Sequence, residues 1–247
     1  MPRILVDLSH NERYKQIPKG IFDFEYNFEF LYPGMHFPVY DLLCNYDLII
    51  LGEIIPAQNV TDHLFLDSEL GVLKQDVKDG GKLLITTSSG GDFDYEREDE
   101  DIEDYKSIRA LSVVSGVKRY WWGELFHPIK KMHYKNPEDL LITHFPPHPI
   151  FSGITRIMLS DTTFLEPSTV YIPQTILTSE EGSMFRYFVD DSEELVDEVP
   201  LITYYELGRG GCMVIGSTLF MSKQVEFGCS IENNSKFFSN IIHWLLD

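Results

Sequence analysis

Cysteine is scarce: the 247 residues hold only Cys44, Cys212 and Cys229, an odd number, far apart, with no pair at metal-ligand spacing. That excludes a disulfide framework and a cysteine-based zinc module, and a reduced, cytoplasmic chain is expected. Basic residues are also few. Twenty Lys plus Arg stand against 39 Asp plus Glu, for a formal net charge of −19. The densest basic pair is Lys130-Lys131, so the charge argues against nucleic acid phosphates and anionic lipid as partners. Long apolar runs are missing too. No segment approaches the ~20 apolar residues that span a bilayer. Met1-Pro2-Arg3-Ile4-Leu5-Val6-Asp7 is too short in its apolar run for a signal peptide. Direct membrane insertion is therefore not expected. The charge suits solubility or a basic protein partner; a homo-oligomer is the other expectation, through the alternating aromatics of 22–32 as an exposed strand that pairs with another chain.

What is present is enough for a sizeable core: 43% of residues are hydrophobic and 13% are aromatic. Arg3-Ile4-Leu5-Val6-Asp7-Leu8 is a near-continuous apolar run that exits into Ser9-His10-Asn11-Glu12. Asp47-Leu48-Ile49-Ile50-Leu51-Gly52, Gly81-Lys82-Leu83-Leu84-Ile85-Thr86-Thr87 and Gly211-Cys212-Met213-Val214-Ile215-Gly216-Ser217 repeat the design. Such runs are strands buried on both faces, as in a parallel sheet. Between them, Leu66, Leu70, Leu73 and Val77 form an apolar helical face, stopped by Asp79-Gly80-Gly81. Phe237, Phe238, Ile241, Ile242 and Leu245 form another, with Asn233 or Asn234 as its cap. The alternation predicts an α/β fold: a three-layer, doubly wound, mostly parallel sheet. Two β-rich embellishments interrupt it. Aromatics fall on every second residue from Phe22 to Tyr32, which is strand spacing, and Pro33-Gly34 follows as a turn. Residues 160–207 read as β-like, with 184–189 and 201–205 flanking an acidic turn. No repeat or linker divides the chain, so a single domain over 1–247 is expected.

In open α/β sheets ligands bind beyond the carboxyl ends of the strands. The residues there are Ser9, His10 and Asn11 after the first strand, Glu53 after the second, Ser88, Ser89 and Gly90 after the third, and Ser217 after the last. These are the candidate ligand-binding residues. Small residues at a strand end let a backbone or ligand approach closely. No catalytic residue is assigned. A serine nucleophile is the alternative: Ser89 has Gly91 two residues on, but Thr87 two residues before, so the nucleophile-elbow pattern is half met. That reading makes the chain a serine-dependent hydrolase using Ser88 or Ser89 with His10 or His148 as base. No metal and no cofactor is expected. The acidic stretch 92–104 places Asp92, Asp94, Glu96 and Glu103 at calcium-loop positions but has Arg97 where the turn glycine belongs, so a solvated surface loop is preferred. His127, His133, His144 and His148 cluster in sequence, but Pro146 and Pro147 keep the last two off one helical face. Trp121-Trp122 form a core pair or, if exposed, a binding surface.

Several of these segments together resemble the glutamine amidotransferase-like domain of intraflagellar transport proteins and of gliding-motility-associated transport components. The resemblance lies in the opening 5–12, in 47–52 and 77–85, in His148-Pro149-Ile150-Phe151-Ser152-Gly153-Ile154, and in the close over 210–217 and 240–245. It covers most of the chain and implies a flavodoxin-like, class I glutamine amidotransferase-like fold. Catalytic members carry a nucleophilic cysteine on the turn after the Gly-Gly strand, where this chain has Ser88-Ser89-Gly90-Gly91. The resemblance therefore implies a non-catalytic branch, serving in protein assembly or in binding a small, carbohydrate-like ligand.

Overall fold

The computed structural model describes residues 1–10, 26–52, 65–89, 111–222 and 228–247. The four apolar runs form the middle of the main sheet. They are β1 (Arg3–Asp7), β3 (Leu48–Leu51), β4 (Lys82–Thr86) and β14 (Gly210–Ile215), each parallel to its neighbours among these four. Beyond β1 lies β2 (Asn27–Leu31), also parallel. Beyond β14 lie β13 (Pro200–Leu207), antiparallel to β14, and β10 (Gln174–Thr178), antiparallel to β13, so the seven-stranded order is β10-β13-β14-β4-β3-β1-β2. The α/β, mostly parallel architecture is the one the sequence predicts.

Strand alternation divides the core. Ile4, Val6, Leu48, Ile50, Leu84, Met213 and Ile215 point to one face, and Leu5, Ile49, Leu51, Leu83, Ile85, Cys212 and Val214 to the other. The first face is covered by α4 (Asn234–Leu246), which buries Phe237, Phe238, Ile241, Ile242 and Leu245. The second is covered by α2 (Asp67–Asp79) through Leu73 and Val77, with α1 (Tyr40–Leu43) and α3 (Ser112–Ser115) beside it. The α4 face is the one read from periodicity; on α2 the reading holds for Leu70, Leu73 and Val77, whereas Leu66 precedes the helix as its N-cap and is exposed. Gly80 ends α2 at φ 122°, a conformation that a side chain disfavours. The cap expected at Asn233 differs in detail. Its amide oxygen accepts from Thr155 N, Thr155 Oγ1 and Arg156 N at 3.0–3.2 Å instead of capping α4. Asn234 is buried and grips Met158 through both its amide atoms.

The aromatic stretch does form a strand where it is described. Phe28 and Phe30 of β2 pack on the first core, while Glu29 on the opposite side binds Arg3 and Tyr46. Pro33 and Gly34 turn as expected, with Met35 N bonded to Tyr32 O. Between α3 and β13, apart from β10, the chain builds small sheets. β5 (Val117–Tyr120) pairs with β9 (Leu165–Pro167), and β7 (Leu140–Ile142) with β8 (Ile157–Leu159). β6 (Gly123–Phe126) pairs with β11 (Met184–Tyr187), which also pairs with β12 (Glu193–Leu195). Residues 184–187 of the first segment and all of 201–205 are thus strands, but in different sheets: β11 belongs to the small one and β13 to the main one.

Candidate functional site

The register fixes where the functional end lies. Asp7 pairs with Leu51, Leu51 with Ile85, and Thr86 with Ile215, so four parallel strands finish in one row. The residues just past that row come from β1, β4 and β14: Leu8 to His10, Thr87 to Ser89, and Gly216 to Thr218.

At the β1 end, Asp7 is fully buried. Its carboxylate accepts from Ser9 N at 2.9 Å, Ser9 Oγ at 2.6 Å and His10 Nδ1 at 2.5 Å. The other ring nitrogen of His10, Nε2, lies 3.4 Å from Glu69 Oε2. Glu69 stands in the first turn of α2 and also accepts from Leu66 N at 2.7 Å, closing that helix end. Phe65 stacks on the imidazole at 4.1 Å and Phe37 meets it edge-on at 5.5 Å. Burial by itself lowers the imidazole pKa. The hydrogen bond and charge of Asp7, joined by those of Glu69, outweigh it, so the pKa is raised above the ordinary histidine value.

At the β4 and β14 ends the small residues bind one another. Ser88 and Ser217 are fully buried, and Ser217 Oγ donates to Ser160 O at 2.8 Å. Thr218 Oγ1 bonds Thr86 Oγ1 at 3.1 Å and Thr87 O at 3.0 Å, tying the two strand ends together. Ser89 donates its hydroxyl to Asp161, whose backbone carbonyl accepts from Ser89 N at 3.1 Å. Asp161 adopts φ 52°, a left-handed conformation uncommon for a residue with a side chain. Gly123 N in turn bonds Ser89 O at 3.0 Å, which joins this corner to the start of β6. One residue on, burial together with the charges of Glu138 and Asp161 pushes the Glu124 carboxyl up to about 7, against the opposing effect of Arg186.

Ser9 and His10 therefore belong to one bonded group, and Ser88, Ser89 and Ser217 flank another. Asn11, Glu53, Gly90 and the acidic stretch 92–104 lie outside the described residues. Asp161, Glu69 and Glu124 were not singled out from the sequence. Glu69 had a readable signal, an acid in the first turn of an evident helix. Asp161 and Glu124 had none. His148 is placed apart from these groups, edge-on to Trp244 of α4 at 4.8 Å, with Nδ1 accepting from Ile150 N at 3.4 Å. His127 is buried against Glu181 O, and His144 pairs with Glu180 at 2.9 Å. Among the described residues no three His, Cys, Asp or Glu side chains are grouped so as to hold a metal ion. Trp121 stacks on Phe164 at 5.4 Å and packs on the first core, so the core reading holds for it.

The titrations have a consequence for stability. His10, Glu124 and the buried Asp76 all have raised pKa values, the last two at about 7 and about 6. A raised folded-state pKa gives stability that is complete below the unfolded value and lost as pH rises through the folded one. Those windows run upward from the ordinary carboxylate range for Glu124 and Asp76, and upward from the ordinary histidine value for His10. The urea midpoint is expected to be higher at about pH 5.5 than at about pH 8, and the slope to flatten in His10→Gln. A midpoint that rises with pH over this interval contradicts the assignment.

No family model matches the chain, and no curated protein matches it in sequence. Solved structures do match. The chain is similar to the mmIFT52 N-terminal domain, with a TM-score of 0.69 at 17% identity, over 98% of this chain and 96% of that one. A ThuA-like protein from Bacteroides uniformis aligns with a TM-score of 0.57 at 10% identity, over 99% and 91%. Cytoplasmic protein STM3548 from Salmonella typhimurium gives 0.53 at 14%, over 99% of each chain. At these identities the likeness is one of fold. No helix among the described residues is long and apolar enough to cross a membrane.

Proposed function

We propose that the chain is a non-catalytic binding domain of the glutamine amidotransferase-like class, one cytoplasmic unit over residues 1–247, that recognises a protein partner during assembly through its strand-end edge. The observation that carries this reading is the disposition of the would-be catalytic groups. Ser89 gives its hydroxyl to a carboxylate, and His10 is held between two carboxylates. A nucleophilic serine needs an imidazole nitrogen free to take its proton, and both ring nitrogens of His10 face carboxylates, Nδ1 that of Asp7 and Nε2 that of Glu69. The cysteine chemistry of catalytic relatives has no thiol to use. Cys212 is inside β14 and Cys229 is buried, with both thiols pushed up by burial, and Cys44 stands at the end of α1. The likeness to an intraflagellar transport domain supports assembly as the use, and a net charge of −19 supports a basic partner. A second copy of the chain is a further partner the reading admits, and a small, carbohydrate-like ligand is its second arm.

Thermal shift in the presence of mono- and oligosaccharides, with light scattering on the same samples, separates the arms. A rise in Tm that disappears in the Ser88→Ala/Ser89→Ala double variant assigns a small ligand to the strand ends. No rise with any saccharide favours the protein partner. A rise that survives the double variant, Asp7→Asn and His10→Gln overturns the placement of the site. Ser89→Ala alone is expected to lose about 1–3 kcal/mol of stability, because the Asp161 carboxylate is left without that donor. Urea unfolding reads this directly, and a change within error contradicts it.

A further inference from the structure

The opposite end of the sheet, where β3, β4 and β14 begin, holds a cavity of about 610 Å³. Asp47 enters it ahead of β3, Lys82 opens β4, Arg209 precedes β14, and Asp76 and Asp79 come from the last turn of α2. Tyr40 and Tyr46 supply aromatic wall and Leu245 of α4 an apolar one. Asp76 is only 3% exposed, yet its Oδ2 has no hydrogen-bond partner. A Cβ on Gly81 would fall 2.0 Å from that oxygen, so glycine is what lets the carboxylate lie against the chain there. Asp79, by contrast, is satisfied, accepting from Tyr40 Oη and Gln75 Nε2 at 2.6 Å each. The basic residues of the wall leave Asp76 alone. Arg209 is 77% exposed and reaches Asp79 at 3.8 Å.

A buried carboxylate with unused acceptors is costly. At a cavity wall the missing donors can come from a ligand. Several features select a cation. Asp47 and Asp79 stand with Asp76, the carboxyl end of a 13-residue helix adds partial negative charge, and the burial that raises Asp76 leaves it ionised at neutral pH. The aromatic wall of Tyr40 and Tyr46 favours an organic one, since aromatic faces attract such cations, although one face of Tyr46 is taken by the Arg3 guanidinium at 4.6 Å. We infer that this cavity binds a small organic cation, a primary ammonium or guanidinium group, with Asp76 as its counter-ion. The site is separate from the strand-end edge and independent of the function proposed for it.

The test is calorimetric titration of the whole chain with agmatine, which carries both groups. Wild type is expected to bind, Asp76→Asn to bind about tenfold more weakly or not at all, and wild type to bind about fourfold more weakly at about pH 5.5 than at about pH 7.5 as Asp76 protonates. Cys44 gives a second reading that needs no variant. It lines the cavity and is exposed, whereas Cys212 and Cys229 are buried. Agmatine is expected to slow its alkylation by iodoacetamide, and prior blocking with N-ethylmaleimide to abolish agmatine binding. N-acetyl-argininamide binding more tightly than agmatine identifies a protein side chain as the source, and the reverse a free amine. Absence of both heat and protection at about 5 mM agmatine, or equal affinity in Asp76→Asn, overturns the inference.

Discussion

Asp7→Ala is expected to lower stability by about 3–5 kcal/mol, the range for removing one partner from a buried ion pair. The carboxylate is fully buried and organises the whole exit of β1, taking three donors from Ser9 and His10. Without it the His10 ring stays between Phe37 and Phe65 with Glu69 alone, at 3.4 Å, as counter-charge. Burial then dominates, and the imidazole pKa is expected to fall below its ordinary value. Asp7→Asn keeps the shape and some of the hydrogen bonds, so its loss is expected to be smaller. Chemical denaturation near neutral pH gives the stabilities, and an NMR titration of His10 gives the pKa. A loss under about 1 kcal/mol, in the range of an exposed pair, together with an unmoved histidine, contradicts the account of this corner.

Phe185→Ala carries the second large effect, also about 3–5 kcal/mol. Phe185 is fully buried in β11 and packs edge-on against Phe164 at 4.8 Å and Tyr187 at 4.9 Å. It belongs to the same core as Ile202 of β13 and Phe237 of α4. The small three-stranded sheet thus shares its apolar interior with the main one. If the chain is one folding unit, as proposed, the variant unfolds in a single transition at lower temperature. Calorimetry showing two transitions, with only the earlier one shifted, contradicts the single unit.

How much of this could be read in the sequence follows from the range of the interactions. β1, β3, β4 and β14 are buried on both faces, so each shows itself as an apolar run. Once paired side by side they leave few arrangements for the rest. The helical faces of α2 and α4 are local periodicities, and both were readable, save that Leu66 caps α2 from outside and is exposed. β6, β11 and β12 are short and unevenly buried, so they carry a strand signal at best and no pairing signal. That is why 184–189 and 201–205 read as neighbours across an acidic turn although they belong to different sheets. At the site, polar residues at strand exits picked out Ser9, His10, Ser88, Ser89 and Ser217. Their partners were hidden by distance along the chain. Asp161 lies 72 residues from Ser89, and Glu69 lies 59 from His10. Nor could periodicity show that Asp76, on a helix read correctly as amphipathic, would be buried beside Gly81 without a donor.

The central claim is that the strand-end serines are structural donors in a binding domain, not nucleophiles. Incubation of the folded protein with a reactive fluorophosphonate ester, followed by intact mass and peptide mapping, tests it most directly. The expected result is an unmodified mass, because the Ser89 hydroxyl is committed to Asp161 and Ser88 is buried. A stoichiometric adduct mapping to Ser88 or Ser89, abolished by His10→Gln, contradicts the account and makes the chain a serine hydrolase.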